Sequence, residues 1–282
     1  MPDIRLIALD LDGTLLNTRK ELSPRNRAAL CAAAQRGIEI VPCTGRFFGG
    51  MPEEIRQLPF LHYAITINGA QVYDVRRDKT IAHAEIPCCR AVEIMSYLDR
   101  LPVIYDCYMD NWGWITRSMQ SRAADYITNP HSLYMARELR HPVDDLKAFL
   151  RERGQDVQKT QLFTADDTLR LQLLHSIGEK FDGLSISSSV SCNVEINDAH
   201  ANKGEAIAAL AAYLDLPMAQ TMAIGDGLND RSMIEMTGVG VAMQNACPEL
   251  LALADEVTAG CDEDGAAIAI ERHCVPGKAN HG

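Results

Sequence analysis

The first apolar run of the chain, Ile4, Leu6, Ile7, Ala8 and Leu9, ends on Leu9-Asp10-Leu11-Asp12-Gly13-Thr14. The run reads as a short buried strand, and Gly13 supplies the turn beyond it. Two carboxylates at i and i+2 of a strand end project to one side. Burying two like charges together is costly unless a cation or a proton neutralises them. The pair therefore suits a nucleophile and an acid/base that share one divalent metal. Asp-Gly after another Asp is also ordinary turn chemistry, so later segments have to decide between the two readings.

Those segments repeat the pattern. Ser23-Pro24 reads as an N-cap with proline at the first helical position, and the Ala- and Leu-rich stretch 25–36 as a helix ended by Gly37. Ile38 to Cys43 is a second apolar strand running into Thr44-Gly45-Arg46, and Tyr63 to Ile67 a third running into Asn68-Gly69-Ala70. Strands alternating with helices predict a mostly parallel sheet with helices on both faces. Such sheets bind ligands at the carboxyl ends of their strands, where Asp10, Thr44 and Asn68 all fall.

The middle of the chain follows another rule. Cys89 to Leu101 reads as helical, and Val103–Met109 and Trp112–Thr116 as strands joined through Asp110-Asn111. Val143, Leu146 and Leu150 mark one helix; Leu169, Leu173, Ile177 and Phe181 mark another. From Leu184 to Ile196 the apolar residues keep even positions, the period of half-buried strands, broken by serines 187–189. This predicts an α+β insertion over residues 85–192 inside an α/β domain formed by 1–84 and 193–273, with 274–282 a disordered tail. The first pattern resumes with a helix marked by Ile207, Leu210 and Leu214, then a strand at Thr221–Ile224. Gly225-Asp226-Gly227-Leu228-Asn229-Asp230 forms the loop at that strand's end, and short strands follow at 240–243 and 255–258.

At 282 residues two domains are the ordinary expectation. A net charge of −11 disfavours binding to nucleic-acid phosphates, so an anionic substrate needs a local positive pocket. Nine cysteines form no C-x-x-C pair, which points to reduced thiols and a reducing compartment. The N-terminal apolar run is short and interrupted by Arg5, unlike a signal peptide, and no segment approaches a membrane span. A cytoplasmic protein without a nucleic-acid or membrane partner is expected; the oligomeric state is not readable.

Four polar clusters carry the chemistry: Asp10/Asp12, Thr44-Gly45-Arg46, Lys203-Gly204, and Asp226 with Asn229 and Asp230. Asp10, Asp12 and Asp226 make a hard oxygen site of the kind Mg2+ prefers. Thr44 can donate from its hydroxyl, and Gly45 allows a close backbone approach to an anion. Lys203 brings a compact charge to a helix start, where the dipole also favours an anion. Together they describe a metal-assisted phosphoryl site. The eight histidines lack ligand spacing for zinc. His200 reads as a surface histidine, and Trp112 and Trp114 serve either packing or a sugar-binding surface.

These segments resemble the four motifs of the haloacid dehalogenase (HAD) superfamily: Asp-x-Asp-Gly-Thr, Thr-Gly-Arg, Lys-Gly and Gly-Asp-x-x-Asn-Asp. The insertion between the second and third is similar to the large α/β cap of the Cof-type subgroup, and the likeness is closest to bacterial sugar phosphatases. It implies a Rossmann-like core, Mg2+, and hydrolysis of small phosphorylated metabolites such as sugar phosphates through an aspartyl-phosphate. By resemblance Asp10 is the nucleophile and Asp12 the acid/base. Asp10, the Asp12 main-chain carbonyl and Asp226 hold the metal. Thr44, Lys203, Asn229 and the amides near Leu11 and Gly45 bind the phosphoryl oxygens, while Asp230, Arg46 and Asn68 support. Cys43 stands where alanine is common and reads as a small buried residue. Two alternatives remain: a phosphosugar mutase, which needs arginines of the insertion (Arg100, Arg117, Arg122, Arg137, Arg140) to gather, and a non-catalytic phosphosugar-binding regulator, disfavoured because Asp10, Asp12 and Asp226 are all present.

Overall fold

The computed structural model describes residues 3–274. In chain order the strands are β1 (Leu6–Leu9), β2 (Glu39–Pro42), β3 (Tyr63–Thr66), β4 (Gln71–Asp74) and β5 (Lys79–His83). The next six are β6 (Ile104–Met109), β7 (Trp112–Thr116), β8 (Arg140–Val143), β9 (Lys159–Phe163), β10 (Leu184–Ser187) and β11 (Asn193–Asp198). The last three are β12 (Thr221–Gly225), β13 (Val239–Ala242) and β14 (Glu256–Val257). The chain divides into two compact units: one formed up to His83 and again from Asn202, the other by Ala84–Ala201.

The first unit is built on a parallel sheet of order β14-β13-β12-β1-β2. Its interior strand β1 is fully buried, as a parallel strand between two helical layers must be. Alternate residues enter separate cores: Ile7 and Leu9 on one face, Leu6 and Ala8 on the other. The first core takes Ala29, Leu30 and Ala33 from the Pro24–Gln35 helix and Ala266, Ala267, Ala269 and Ile270 from the Gly265–Cys274 helix. The second takes Ala206, Ile207 and Leu210 from the Lys203–Tyr213 helix and Met233 and Ile234 from the Arg231–Met236 helix. Ser23 caps the first helix by accepting from Asn26 N, with Pro24 at its start, as expected. The third strand is a partial exception. A parallel bridge, Cys43 to Ile65, links β3 to the edge beside β2, but its ladder runs antiparallel to β4 and β5, two strands that the spacing does not announce.

The second unit is a six-stranded sheet of order β10-β11-β9-β6-β7-β8, antiparallel except for β7 with β8. The β6–β7 hairpin turns through Asp110 and Asn111, both at positive φ, the residue types that tolerate it. Helices Cys88–Leu98, Leu146–Arg153 and Asp167–Lys180 cover one face with Ile94, Met95, Leu150, Leu173 and Ile177. Three expectations need correction. Val143 ends β8 rather than starting a helix, because its strand pairs with β7. Residues 193–201, expected in the first unit, belong to the second, because β11 lies between β9 and β10. Of the tail expected over 274–282, Cys274 instead lies in the last helix and is buried; the rest lies outside the described residues. Among the described residues no helix is long and apolar enough to cross a membrane.

Candidate active site

β1 ends at Leu9, so Asp10 to Thr14 form a turn and the two-residue strand period no longer governs Asp10 and Asp12. Asp10 is tied to the neighbouring strand end by its N–H to Ile224 O (3.0 Å) and is 7% exposed. Gly13 turns the chain at φ +91°, and a Cβ there would stand 2.4 Å from Asp226 Oδ2. Thr14 then donates from Oγ1 to Asp226 Oδ1 at 2.8 Å.

Lys203 lies at the start of its helix, capped by Asn202, and is completely buried. A Cβ on Gly204 would meet Ser232 O at 2.4 Å, so the glycine lets this helix press against the Arg231–Met236 helix. Lys203 Nζ donates to Asp10 Oδ1 (2.6 Å) and to Asp230 Oδ1 (2.5 Å). The other Asp230 oxygen accepts the N–H groups of Asp226 (2.8 Å) and Gly227 (2.9 Å). Asp10, Asp226 and Asp230 offer oxygens that all lie within 4.8 Å of one another.

Three carboxylates around one ammonium leave an excess of buried negative charge. Burial pushes Asp10 up to about 7, against the pull of Lys203 and with Asp230 and Asp226 adding to the rise. Burial likewise lifts Asp226 to about 6 although the Thr14 hydroxyl favours its charged form. Burial alone would lower Lys203, but the charges of Asp10 and Asp230 outweigh it and hold the ammonium charged. A divalent cation fits this donor set: all oxygen, net negative, and incompletely neutralised by the protein. Of the three carboxylates Asp230 is the most fully engaged by the protein, with one oxygen on Lys203 and the other on two N–H groups. The side chain of Asp12, expected in the shared-metal pair, is not in this cluster.

Asp12 has its own cations. Arg46 donates from Nε to Oδ2 (2.7 Å) and from Nη2 to Oδ1 (2.8 Å), and Lys20 Nζ lies 2.8 Å from Oδ1. Burial would raise this carboxyl, but the hydrogen bonds and charges of Arg46 and Lys20 hold it well below the usual carboxylate range. Arg46 also donates to Gly50 O (3.0 Å), which fixes its reach. Lys20 is a residue that motif reasoning passes over; its only local sign is its place in the polar turn after the first strand.

Thr44 follows β2 and is buried; its N–H goes to Ile65 O and its hydroxyl accepts from Arg46 N (3.2 Å). Asn68 N donates to Thr44 O (3.0 Å), and Asn229 Nδ2 to Asn68 Oδ1 (3.1 Å). The N–H groups of Leu11 and Gly45 have no acceptor among the described residues, which leaves two donors for an anion. Cys43 is a buried thiol pushed far up by burial, in keeping with a packing role. His200 is exposed. Trp112 meets His141 edge-on, Trp114 meets it at a tilt, and Trp114 also packs on Phe149. Of the arginines that a mutase needs to gather, Arg117 pairs with Asp144, Arg122 with Asp125 and Arg140 with Asp106.

A family model described as haloacid dehalogenase-like hydrolase matches residues 7–270. The chain belongs to that superfamily, in its Cof-type branch. It is an enzyme of the phosphatase class. It is 31% identical over 288 residues to Phosphatase YwpJ of Bacillus subtilis, spanning 94% of this chain and 98% of that protein. It is 30% identical to the 5-amino-6-(5-phospho-D-ribitylamino)uracil phosphatase YcsE of the same organism, spanning 97% and 96%. The crystal structure of a haloacid dehalogenase-like hydrolase from Bacteroides thetaiotaomicron matches with a TM-score of 0.81 at 26% identity, over 95% of this chain and 99% of that one.

Proposed function

We propose that this protein is a Mg2+-dependent phosphatase of small phosphorylated metabolites, sugar phosphates foremost, working through an aspartyl-phosphate on Asp10. The observation that carries the reading is Lys203 bridging Asp10 and Asp230 beside Asp226, a buried group with more carboxylate than ammonium. Asp10, Asp226 and the main-chain carbonyl of Asp12 would hold the ion. Mg2+ when bound neutralises charge on the phosphoryl oxygens.

In the proposed reaction an Asp10 carboxylate oxygen attacks phosphorus, and the bond to the leaving oxygen breaks with its electron pair on that oxygen. Asp12 gives that oxygen a proton. Asp12, now a carboxylate, takes a proton from water, whose oxygen attacks phosphorus; the bond to Asp10 breaks, releasing phosphate and restoring the carboxylate. Lys203 keeps Asp10 oriented, and Asp230, itself held by two N–H groups, keeps Lys203 on station. Thr44, Asn229 and the free N–H groups of Leu11 and Gly45 would receive the phosphoryl oxygens. Arg46 and Lys20 favour the ionised Asp12 that activates water. Its turn as an acid requires a shift upward, which the negative charge of a phosphoryl group placed beside it supplies.

The sugar-phosphate preference draws support from the relative named for a phosphorylated ribitylamino-uracil. A cytoplasmic location is in keeping with cysteines that are all free thiols. The test is phosphate release from a panel of phosphorylated metabolites, with Mg2+ or EDTA, beside Asp10→Asn. Turnover is expected only from wild type with Mg2+, and acid-quenched wild type should carry phosphate on Asp10. Turnover that survives Asp10→Asn, or that EDTA leaves intact, would overturn the reading.

A further inference from the structure

Lys20 reaches Asp12 from a turn built to deliver it. The turn runs from Asn17 to Glu21: Asn17 N donates to Glu21 O (3.1 Å) and Lys20 N to Asn17 O (2.9 Å). The Asn17 side chain accepts from Arg19 N (2.9 Å) and Glu21 N (3.0 Å). Lys20 itself sits at φ +65°, a left-handed conformation that a lysine takes only when its surroundings hold it there. What anchors the turn comes from the far end of the chain. Thr18 donates to Asp262 from both N (3.0 Å) and Oγ1 (3.0 Å). The loop carrying Asp262 is in turn tied to the turn after β1: Asn245 accepts from Cys261 N (2.9 Å) and donates to Gly13 O (2.8 Å).

The result is a carboxylate gripped from two directions. Arg46 approaches Asp12 as a two-pronged fork, and Lys20 adds a second donor to Oδ1. One fork fixes the plane of a carboxylate but leaves it free to swing with the guanidinium; a second cation on another element removes that freedom. Lys20 is half exposed, so desolvation costs little and its own packing contributes little to stability.

We infer that Lys20 is a positioning residue that holds Asp12 where it must exchange protons, with the Thr18–Asp262 contact setting the turn that carries it. The inference rests on Asp12 being the acid/base of the proposed reaction, and the test separates the two. Its readout is kcat/KM, which covers steps up to departure of the leaving group, measured with Mg2+ on a sugar phosphate and on para-nitrophenyl phosphate. An alkoxide needs a proton to leave and para-nitrophenolate does not, so loss of a positioned acid shows only on the first.

Lys20→Met is expected to lower kcat/KM on the sugar phosphate roughly tenfold, and on the aryl ester less than about threefold, as a partial loss of general acid catalysis. Lys20→Arg should restore most of the difference, and Thr18→Val, which removes the hydroxyl's hold on Asp262 and leaves the turn tied there by the main-chain N–H alone, should show the same selectivity at smaller size. Asp12→Asn should show it in the extreme. If Lys20→Met lowers both substrates alike, or neither, while Asp12→Asn remains selective, the positioning role of Lys20 is overturned. If Asp12→Asn is itself unselective, the acid role of Asp12 fails, and the role of Lys20 with it.

Discussion

Thr14 Oγ1 donates to Asp226 Oδ1 at 2.8 Å, joining two strand-end loops that lie 212 residues apart in the chain. The bond orients the one carboxylate of the buried cluster that neither Lys203 nor a backbone amide holds. Gly13 makes it possible, since any side chain there would collide with Asp226. Thr14→Val keeps the shape of the side chain and removes the donor. In the proposed reaction Asp226 holds Mg2+, and groups that orient a metal ligand are typically worth about 10–100-fold in metal affinity. The expected outcome is a rise of about tenfold in the Mg2+ concentration for half-maximal phosphate release, with little change in thermal midpoint in EDTA.

Asp226 also predicts how the metal-free protein responds to pH. Its carboxyl is raised from 3.8 to about 6, so between those values the folded chain holds a proton that the unfolded chain has released. The contribution of this group to stability is full below the ordinary value and is lost as pH rises through about 6. Asparagine has no charge to bury. In EDTA, Asp226→Asn should therefore gain stability over wild type between about pH 4 and about pH 8, by about 1–2 kcal/mol after discounting for partial exposure. Denaturant titrations across that range read the difference. Mg2+ should reverse the ranking at the upper end by binding wild type alone; a difference independent of pH would count against the buried-charge account.

In the second unit, Arg140 and Asp106 form an ion pair with side chains 2% and 0% exposed, Nε to Oδ2 at 2.8 Å. Arg140 also donates to the Tyr108 hydroxyl, and Gln161 to Asp106 (3.1 Å). Removing one partner of such a pair leaves a buried charge uncompensated, at a cost of about 3–5 kcal/mol, whereas replacing both by apolar groups is often near neutral. Arg140→Met should lower stability by about that amount, and Arg140→Met with Asp106→Leu should recover most of it. Urea unfolding followed by tryptophan fluorescence reports on this unit, because both tryptophans lie in β7.

Local signals located most of the elements that frame the site. Ser23-Pro24 started a helix where expected, Asp110-Asn111 turned a hairpin, and uninterrupted apolar runs marked β1 and β12 as buried strands. The elements that escaped had no such signal. β8 contains a histidine and a proline, β9 reads Lys-Thr-Gln-Leu-Phe, and β4 and β5 hold few apolar residues. Their backbones are strands because neighbouring strands accept their hydrogen bonds, a condition that no window of sequence contains. The same reason moved residues 193–201 into the second unit: β11 has a place only between β9 and β10.

The sequence by itself determined which chemical groups stand at the carboxyl ends of the strands and at one helix start, because apolar periodicity and turn residues are local properties. Asp10, Thr44, Lys203, Asp226 and Asp230 were identifiable on that basis, with their order along the chain. Which charge meets which was decided by the tertiary structure alone. Lys203 lies between Asp10 and Asp230 rather than on Asp12. Arg46 and Lys20 share Asp12, and Asp262 reaches Thr18 across 244 residues. Coulombic and hydrogen-bond energies fall off within a few ångströms, so these pairings depend on how closely helices and loops approach. That approach is set by packing, as where Gly204 lets one helix settle against Ser232 and carry its lysine into the cluster.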